Sequence, residues 1–247
     1  MLFRNYNQTL IDNASSEYYF LTDFLGTNKS HDINAVFSFI FEPTLAISTM
    51  FTKHLCAATS DIFGVLLCIR LTQHYAFTLQ KRRMPALDAY INSTNMLLWP
   101  RFQLLMDQHA ESLRRFGVPT GGRRVDESLA PHGITQRFAG LLQGVLTLSE
   151  EERDDEPLVN RYFLRIFPND SLGRVRSDFE AFLTKWSASI GDGNKRERFL
   201  FNNYMLISTV LSVSSVHPNL PQNVDGKVAE REKQHFSNLV KAFETPV

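Results

Sequence analysis

The stretch from Asp61 to Phe102 constrains this chain more than any other, and its centre is Ile62-Phe63-Gly64-Val65-Leu66-Leu67-Cys68-Ile69. Apolar residues there occupy every helical azimuth rather than a single stripe. A helix that is apolar all round is buried all round, so this segment is expected at the centre of a helical bundle. The run lasts eight residues before Arg70, against the roughly 20 needed to cross a bilayer, so it reads as a core helix and not a membrane span. Leu71 to Leu79 continues the pattern. Lys81-Arg82-Arg83 then suits the negative end of a helix dipole, and Pro85 discourages continuation. A second helix carries Leu87, Tyr90, Ile91, Leu98, Phe102, Leu105 and Leu113 at helical spacing. Within it, Trp99-Pro100 predicts a kink or a break, because an interior proline removes a backbone hydrogen bond and costs ~3 kcal/mol.

Upstream, Leu10-Ile11 and Tyr18 to Leu25 form two short apolar groups, with Ser15-Ser16-Glu17 as cap candidates before the second and Gly26 as a stop. Asp32 is expected to cap a helix with Ile33, Val36, Phe37 and Ile40 on one face. Pro43 should break or begin an element, Thr44 to Thr59 follows, and Asp61 begins the central helix, continuous or not with the one before. Gly117 to Pro131, with three glycines and two prolines, is the clearest boundary. It predicts an N-terminal helical bundle at 1–116, a linker at 117–131 and a C-terminal helical bundle at 132–247.

The second half opens at His132, with Ile134, Phe138, Leu141, Leu142, Val145 and Leu148 at helical spacing. Glu150 to Glu156, six acids and one arginine, should be solvated, and Asn160 to Phe167 reads as a short helix or docked turn. Asn169-Asp170-Ser171 is expected to cap the most regular helix, whose face is Leu172, Val175, Phe179, Phe182, Leu183, Trp186 and Ile190. Gly191-Asp192-Gly193-Asn194 is a turn into a helix over Lys195 to Ser212. A weaker final helix carries Val228, Phe236, Leu239, Val240 and Phe243, interrupted by Glu232, and its Leu239 and Phe243 are expected to be partly exposed. No period-two run and no internal repeat is found, so the fold class is all-α.

The chemistry-bearing residues are sparse. Lys plus Arg and Asp plus Glu number 26 each, which argues against a nucleic-acid domain. Cys56 and Cys68 lie in apolar helical surroundings and read as reduced thiols. The first residues contain no apolar run of signal-peptide type, so the expectation is a cytosolic protein whose membrane contact is peripheral. No two of the His or Cys residues are three or four apart, so no helix presents a metal-ligand pair. His54 and His74 read as partly buried helix residues. Gly121-Gly122-Arg123-Arg124 and Gly191 to Lys195 lack the spacing of a nucleotide loop and read as turns. Arg114-Arg115 with Arg123-Arg124 invites a basic patch for acidic lipid or a partner, but a solvated linker explains it better. Asp107 and Glu111 share a helix face beside those arginines and read as surface groups. No catalytic, cofactor-binding or metal residue is assigned, and no enzyme is expected. The 20 phenylalanines are mostly core, with some rings left to face partners.

Gly64 to Arg70, Pro85-Ala86-Leu87-Asp88-Ala89-Tyr90, Leu98-Trp99-Pro100-Arg101-Phe102, His132 to Phe138 and Phe199-Leu200-Phe201-Asn202-Asn203-Tyr204 together resemble the vacuolar protein sorting-associated protein 52 family. The resemblance implies elongated stacked helical bundles of the rod type found in multisubunit tethers. It implies a scaffold subunit of the Golgi-associated retrograde protein complex (GARP) and its endosomal relative (EARP), which capture endosome-derived vesicles at the trans-Golgi network. Other subunits of the tether would be partners, with SNAREs and small GTPases as further candidates, and the membrane would be reached through them. The family's N-terminal coiled coil has no counterpart here, since no heptads are sustained. The chain is accordingly read as a central-to-C-terminal fragment or a reduced version. The rival reading is a helical module that binds a membrane surface or a small ligand, favoured by a basic amphipathic face, whereas uncharged apolar grooves favour a partner protein.

Overall fold

The computed structural model describes residues 2–26, 30–117, 129–150, 158–213 and 227–244, and among them there is no strand. The chain is all-α. Its internal contacts divide it into two compact units, Met1–Leu105 and Met106–Val247. The division falls inside a helix, ahead of the Gly-rich stretch; residues 118–128 of that expected linker lie outside the described residues.

The first unit contains α1 (Leu2–Leu25), α2 (Ser30–Ala58), α3 (Ile62–Lys81), a single 3-10 turn at Pro85–Leu87 and the first part of α4 (Asp88–Arg115). Its core joins Leu10, Ile11, Phe37, Tyr75, Leu79, Met84, Leu87, Tyr90 and Ile91. Three expected breaks are absent. Ser15 does not open a second helix: it is buried inside α1, and its hydroxyl donates to the Ile11 carbonyl at 2.7 Å. The stripe Leu10, Ala14, Leu21 is covered continuously, so the helix has no reason to stop before Gly26, which ends it at φ 77°.

Likewise α2 runs through Pro43 and α4 through Pro100. The carbonyl that a helical proline orphans belongs to the residue four before it. Those residues are Phe39 and Met96, 82% and 76% exposed, so both carbonyls lie on the outer side of their helix, where solvent can hydrate them. Trp99 itself is buried, edge-on to Phe102 with ring centroids 6.0 Å apart.

α3 starts where expected, with the Asp61 carboxylate accepting from the Gly64 N–H at 3.0 Å. It is separate from α2, and Arg101 of α4 donates to the Thr59 carbonyl in the turn between them. Its core is not covered all round, however. Ile62, Val65, Leu66 and Ile69 are buried, but Phe63 and Leu67 are 37% and 47% exposed. A helix packed on two sides leaves a third, and sequence cannot say which apolar residues fall there.

At its far end the Met84 N–H reaches the Leu79 carbonyl at 3.1 Å and the Arg83 N–H reaches Gln80 at 3.0 Å. That is a Schellman closure with Arg83 at φ 52°. Arg82 does more than complement the dipole: it donates to Ser15 at 2.8 Å and Asp12 at 2.9 Å, tying α3 to α1. A polar layer crosses the same core. Tyr90 donates to Asn7 at 2.6 Å and Tyr6 meets Ser48 at 2.8 Å, while burial pushes the Tyr90 hydroxyl up to about 12.

The second unit comprises the end of α4, α5 (Gly133–Glu150), α6 (Leu158–Ala188), α7 (Gly193–Val213) and α8 (Lys227–Ala242). α7 is central, packing on α5, α6 and α8. α6 begins at Leu158, so Asn169-Asp170-Ser171 lies within it and not at its start. Cap chemistry marks a helix start only where the residues before it are not already helical. The stripe Leu172, Val175, Phe179, Phe182, Leu183 and Ile190 is buried as its spacing predicts. Asp192 opens α7 by accepting from the Asn194 N–H at 2.9 Å. Residues 151–157, most of the acidic run, lie outside the described residues.

Candidate interaction surface

Two of the five sequence blocks that carry the family resemblance meet directly, and what they form is a fastening, not a reactive site. Asn203 of α7 is fully buried. Its Oδ1 accepts from the His132 N–H at 2.9 Å and from the Thr135 hydroxyl at 2.5 Å, and its Nδ2 donates to the Phe199 carbonyl at 2.7 Å. The neighbouring Asn202 holds the Leu129 carbonyl at 2.6 Å. His132 in turn caps α5, its Nδ1 accepting from the Ile134 N–H at 3.1 Å. Around its ring, Trp186 and Phe182 stand edge-on at 4.5 and 5.2 Å between centroids, and Phe116 at 5.9 Å. Burial lowers the pKa of His132, which keeps Nδ1 free to accept. The rings pack on one another around His132.

The charged residues weighed from sequence are surface groups. Glu111 pairs with Arg115 at 2.8 Å, Arg114 with Asp178 at 2.8 Å and Arg174 with Asp107 at 3.1 Å. Asp107, Glu111, Arg114 and Arg174 line, with Gln108 and Ala110, an open crease of about 360 Å³ in which each arginine faces a carboxylate. That balance leaves nothing to hold an anionic substrate. Arg123 and Arg124 lie outside the described residues, as do Gly121 and Gly122. Among the described residues no three His, Cys, Asp or Glu side chains gather as metal ligands. Cys56 and Cys68 are unbridged; burial raises both thiols, Cys68 to about 11, which makes them poor nucleophiles.

The surface with most to offer is apolar. α2 packs chiefly on α1, seating Ile33 and Phe37 inward with Phe41 and Leu45 partly buried beside them. Its opposite side carries Val36, Phe39, Ile40, Ile47 and Met50, of which Phe39, Met50 and Ile47 are 82%, 70% and 63% exposed. Their increments of three, one, seven and three keep them on one face, and Pro43 and Ala46 fill the gap. α2 (over Ile33–Ala58) and α3 are long and apolar enough to cross a bilayer by length and composition alone. α3 has nearly half of its span covered within the fold, while α2 has 17%. Phe20 and Phe24 of α1, exposed and stacked at 5.9 Å, add a second apolar spot.

α8 behaves differently. Phe236 is fully buried between Phe138 and Tyr204, with centroids at 6.2 and 6.4 Å. Glu232, expected to interrupt the stripe, is buried and paired with Arg176 of α6 at 2.5 Å. Leu239 and Phe243 are half-buried, the latter stacked on Tyr204 at 5.7 Å. Periodicity flagged the α8 stripe correctly but could not show that the outer side of α2 would stay open.

Comparison with known proteins accounts for nearly all of the chain. A family model described as "Vps52, C-terminal" matches residues 1–238. Vacuolar protein sorting-associated protein 52 of Schizosaccharomyces pombe is 34% identical over 93% of this chain and 41% of its own length. The Saccharomyces cerevisiae protein of that name is 33% identical over 98% of this chain and 42% of its own. The Arabidopsis thaliana protein 52 A is 27% identical over 98% of this chain and 32% of its own. The chain thus spans about two-fifths of the fungal relatives' length. No solved structure matches it.

Proposed function

Because the chain belongs to the Vps52 family, matched by its C-terminal-domain model over residues 1–238, we propose that it is a non-enzymatic scaffold subunit of a multisubunit vesicle tether. In this reading the tether is of the GARP and EARP type and captures endosome-derived vesicles at the trans-Golgi network. The observation that carries the reading is the family match itself, across fungal, plant and mammalian relatives named for vacuolar protein sorting. The geometry agrees in kind. Charged side chains are paired at the surface, the buried polar groups fasten helices, and the largest unspent feature is an exposed apolar helix face. Such a molecule acts by presenting surfaces. Its partners would be the other tether subunits, with SNAREs and small GTPases further along the same pathway, and it would sit in the cytoplasm at trans-Golgi and endosomal membranes.

The test is replacement of the whole protein in its own cells by a version lacking these residues, with two readouts. Cargo that recycles from endosomes to the Golgi should be missorted to the vacuole or lysosome. The remaining tether subunits should no longer co-purify as a full set with the truncated protein, or should do so without capturing vesicles. Normal recycling of that cargo would sink the reading.

A further inference from the structure

The contacts that hold the start of α5 converge on His132. Its backbone N–H and the Thr135 hydroxyl are received by buried Asn203 of α7, and the Thr135 N–H returns to the His132 carbonyl at 2.8 Å. Its Nδ1 accepts from the Ile134 N–H, so the neutral ring carries its proton on Nε2. That last bond exists only for the neutral imidazole. A second proton must go to Nδ1, where it would meet the Ile134 N–H donor against donor. The positive charge would also lie at the N-terminal end of α5, the end that favours anions. The side chains packed on His132 from other helices are Phe116 of α4, Phe182 and Trp186 of α6, and Asn203 of α7. All are uncharged, and burial is what lowers the His132 pKa, so among the described residues no carboxylate stands by to hold a second proton. The nearest charges in sequence are of the same sign: Arg137 on α5, Arg115 beside Phe116 and Lys185 beside Trp186.

We propose that His132 makes this junction an acid-released catch: protonation expels its ring from between Phe116, Phe182 and Trp186, and the start of α5 lets go of α7 while the rest of the second unit stays packed. What is freed is the backbone over residues 129–135, because Leu129 is held by Asn202, next to Asn203 on α7. The release is local because the other contacts of the unit do not need a neutral imidazole. Further along α5, Phe138 stacks on Phe179 at 4.1 Å, and Ala139, Leu142 and Val145 are buried. α8 keeps Phe236 in the core and Glu232 on Arg176. A closed form that binds fewer protons than the open one loses ground as pH falls. The open form gains below the ordinary histidine value of about 6.5, and the gain ends at the lowered value of the closed form. The catch does not depend on what the protein tethers, so it can fail while the proposed function stands.

The test is amide hydrogen exchange of the whole protein at pH 7.5 and 5.5, resolved by residue, corrected for intrinsic rates and repeated in low urea. Protection of the His132, Ile134 and Thr135 amides should fall at the lower pH by about threefold to tenfold. Tenfold is roughly the most that one group with an ordinary value near 6.5 supplies over that range. At pH 5.5 these three should exchange at rates that low urea leaves unchanged, the mark of a local opening that exposes little surface. The Ile207 amide of α7 should stay far better protected and respond to urea. His132→Asn, which keeps an N-cap acceptor but cannot take up the proton, should remove the pH effect at Ile134 and Thr135. Equal protection at the two pH values would overturn the proposal. So would exchange of the three amides that follows Ile207 in rate and urea response, since opening would then be global. A folded His132→Asn variant that keeps the pH effect would also overturn it. If that variant fails to fold, the pH and urea responses of the parent still decide.

Discussion

α2 and α8 are both edge helices with apolar residues at helical spacing, yet they meet opposite fates. α8 has a narrow stripe between charged flanks, and that stripe is consumed by the fold, with Phe236 fully covered and Glu232 buried with one carboxylate oxygen on Arg176. α2 is apolar beyond the face that meets α1, and Phe39, Ile47 and Met50 on its other side stay exposed. Apolar content is therefore not a measure of burial. What a helix can bury is set by how many neighbours it has, and any surplus beyond that is information about something outside the unit.

The sharpest way to break this contrast is to place the two helices on the same stability scale. Phe236→Ala removes a ring packed on two sides and should cost ~3–5 kcal/mol in chemical denaturation. Ile47→Asp, a harsher chemical change on α2, should stay within ~0.5 kcal/mol because the residue faces outward. Equal losses would mean that α2 is as deeply docked as α8 and that its outer face is covered within this chain.

Next in size is the fastening between α5 and α7. Asn203→Ala strands the Thr135 hydroxyl and the His132 N–H inside the protein, so it should cost about 2–3 kcal/mol. A loss below about 1 kcal/mol would show that the local backbone relaxes to let water in. The same junction predicts a pH dependence. His132 has a folded pKa lowered by burial below its unfolded value, so the folded state holds fewer protons in that window. Its stabilisation is present above roughly pH 6.5, the usual histidine value, and is lost as pH falls below it towards the lowered pKa. Unfolding free energies at pH 7.5 and 5.5 should therefore differ less in His132→Asn, which keeps an N-cap acceptor, than in the parent. An unchanged difference would contradict the capping role.

Much of this was legible because it is local. Asp61 and Asp192 cap the helices they precede, Gly26 ends α1, and the α6 stripe follows from spacing alone. The failures share one cause, which is that direction relative to neighbours is not written in local sequence. Ile33, Val36, Phe37 and Ile40 look like one face, but the fold turns Ile33 and Phe37 inward and leaves Val36 and Ile40 out. Ser15 and Asn169 to Ser171 have the chemistry of helix starts, yet each lies within a helix whose apolar stripe continues past it. The sequence pointed to the final helix, with Leu239 and Phe243 partly exposed, and gave no sign that the outer side of α2 would be the more open apolar face.

The two internal prolines test that explanation. If Pro43 survives in α2 because its orphaned carbonyl at Phe39 is hydrated, Pro43→Ala should restore the missing backbone bond and stabilise the chain. Some of the ~3 kcal/mol cost of a helical proline returns, less the gain in unfolded-chain freedom of ~0.4–1 kcal/mol, for a net rise of about 1–2 kcal/mol. A loss of stability would mean that the bend at Pro43 is part of how α2 seats on α1.

The smallest effect concerns the ends of α1 and α3, which close with the same left-handed geometry but different residues. α1 uses Gly26 at φ 77°, and α3 uses Arg83 at φ 52°. A side chain in that region costs ~1–2 kcal/mol because Cβ crowds the following carbonyl. The Schellman bonds from Met84 and Arg83, with Met84 and Leu79 both buried against the core, hold Arg83 there regardless. Arg83 is exposed, and it is Arg82 beside it that reaches Asp12 and Ser15. Arg83→Gly should therefore relieve the strain, and after the extra freedom gained by the unfolded chain the net gain is about 0.5–1 kcal/mol. Arg83→Ala keeps the Cβ and removes the charge, so it should leave stability nearly unchanged. If glycine destabilises and alanine does so equally, the guanidinium of Arg83 makes a contact that outweighs the strain. If glycine alone destabilises, it is the rigidity of the turn between α3 and α4, and not its strain, that matters to the fold.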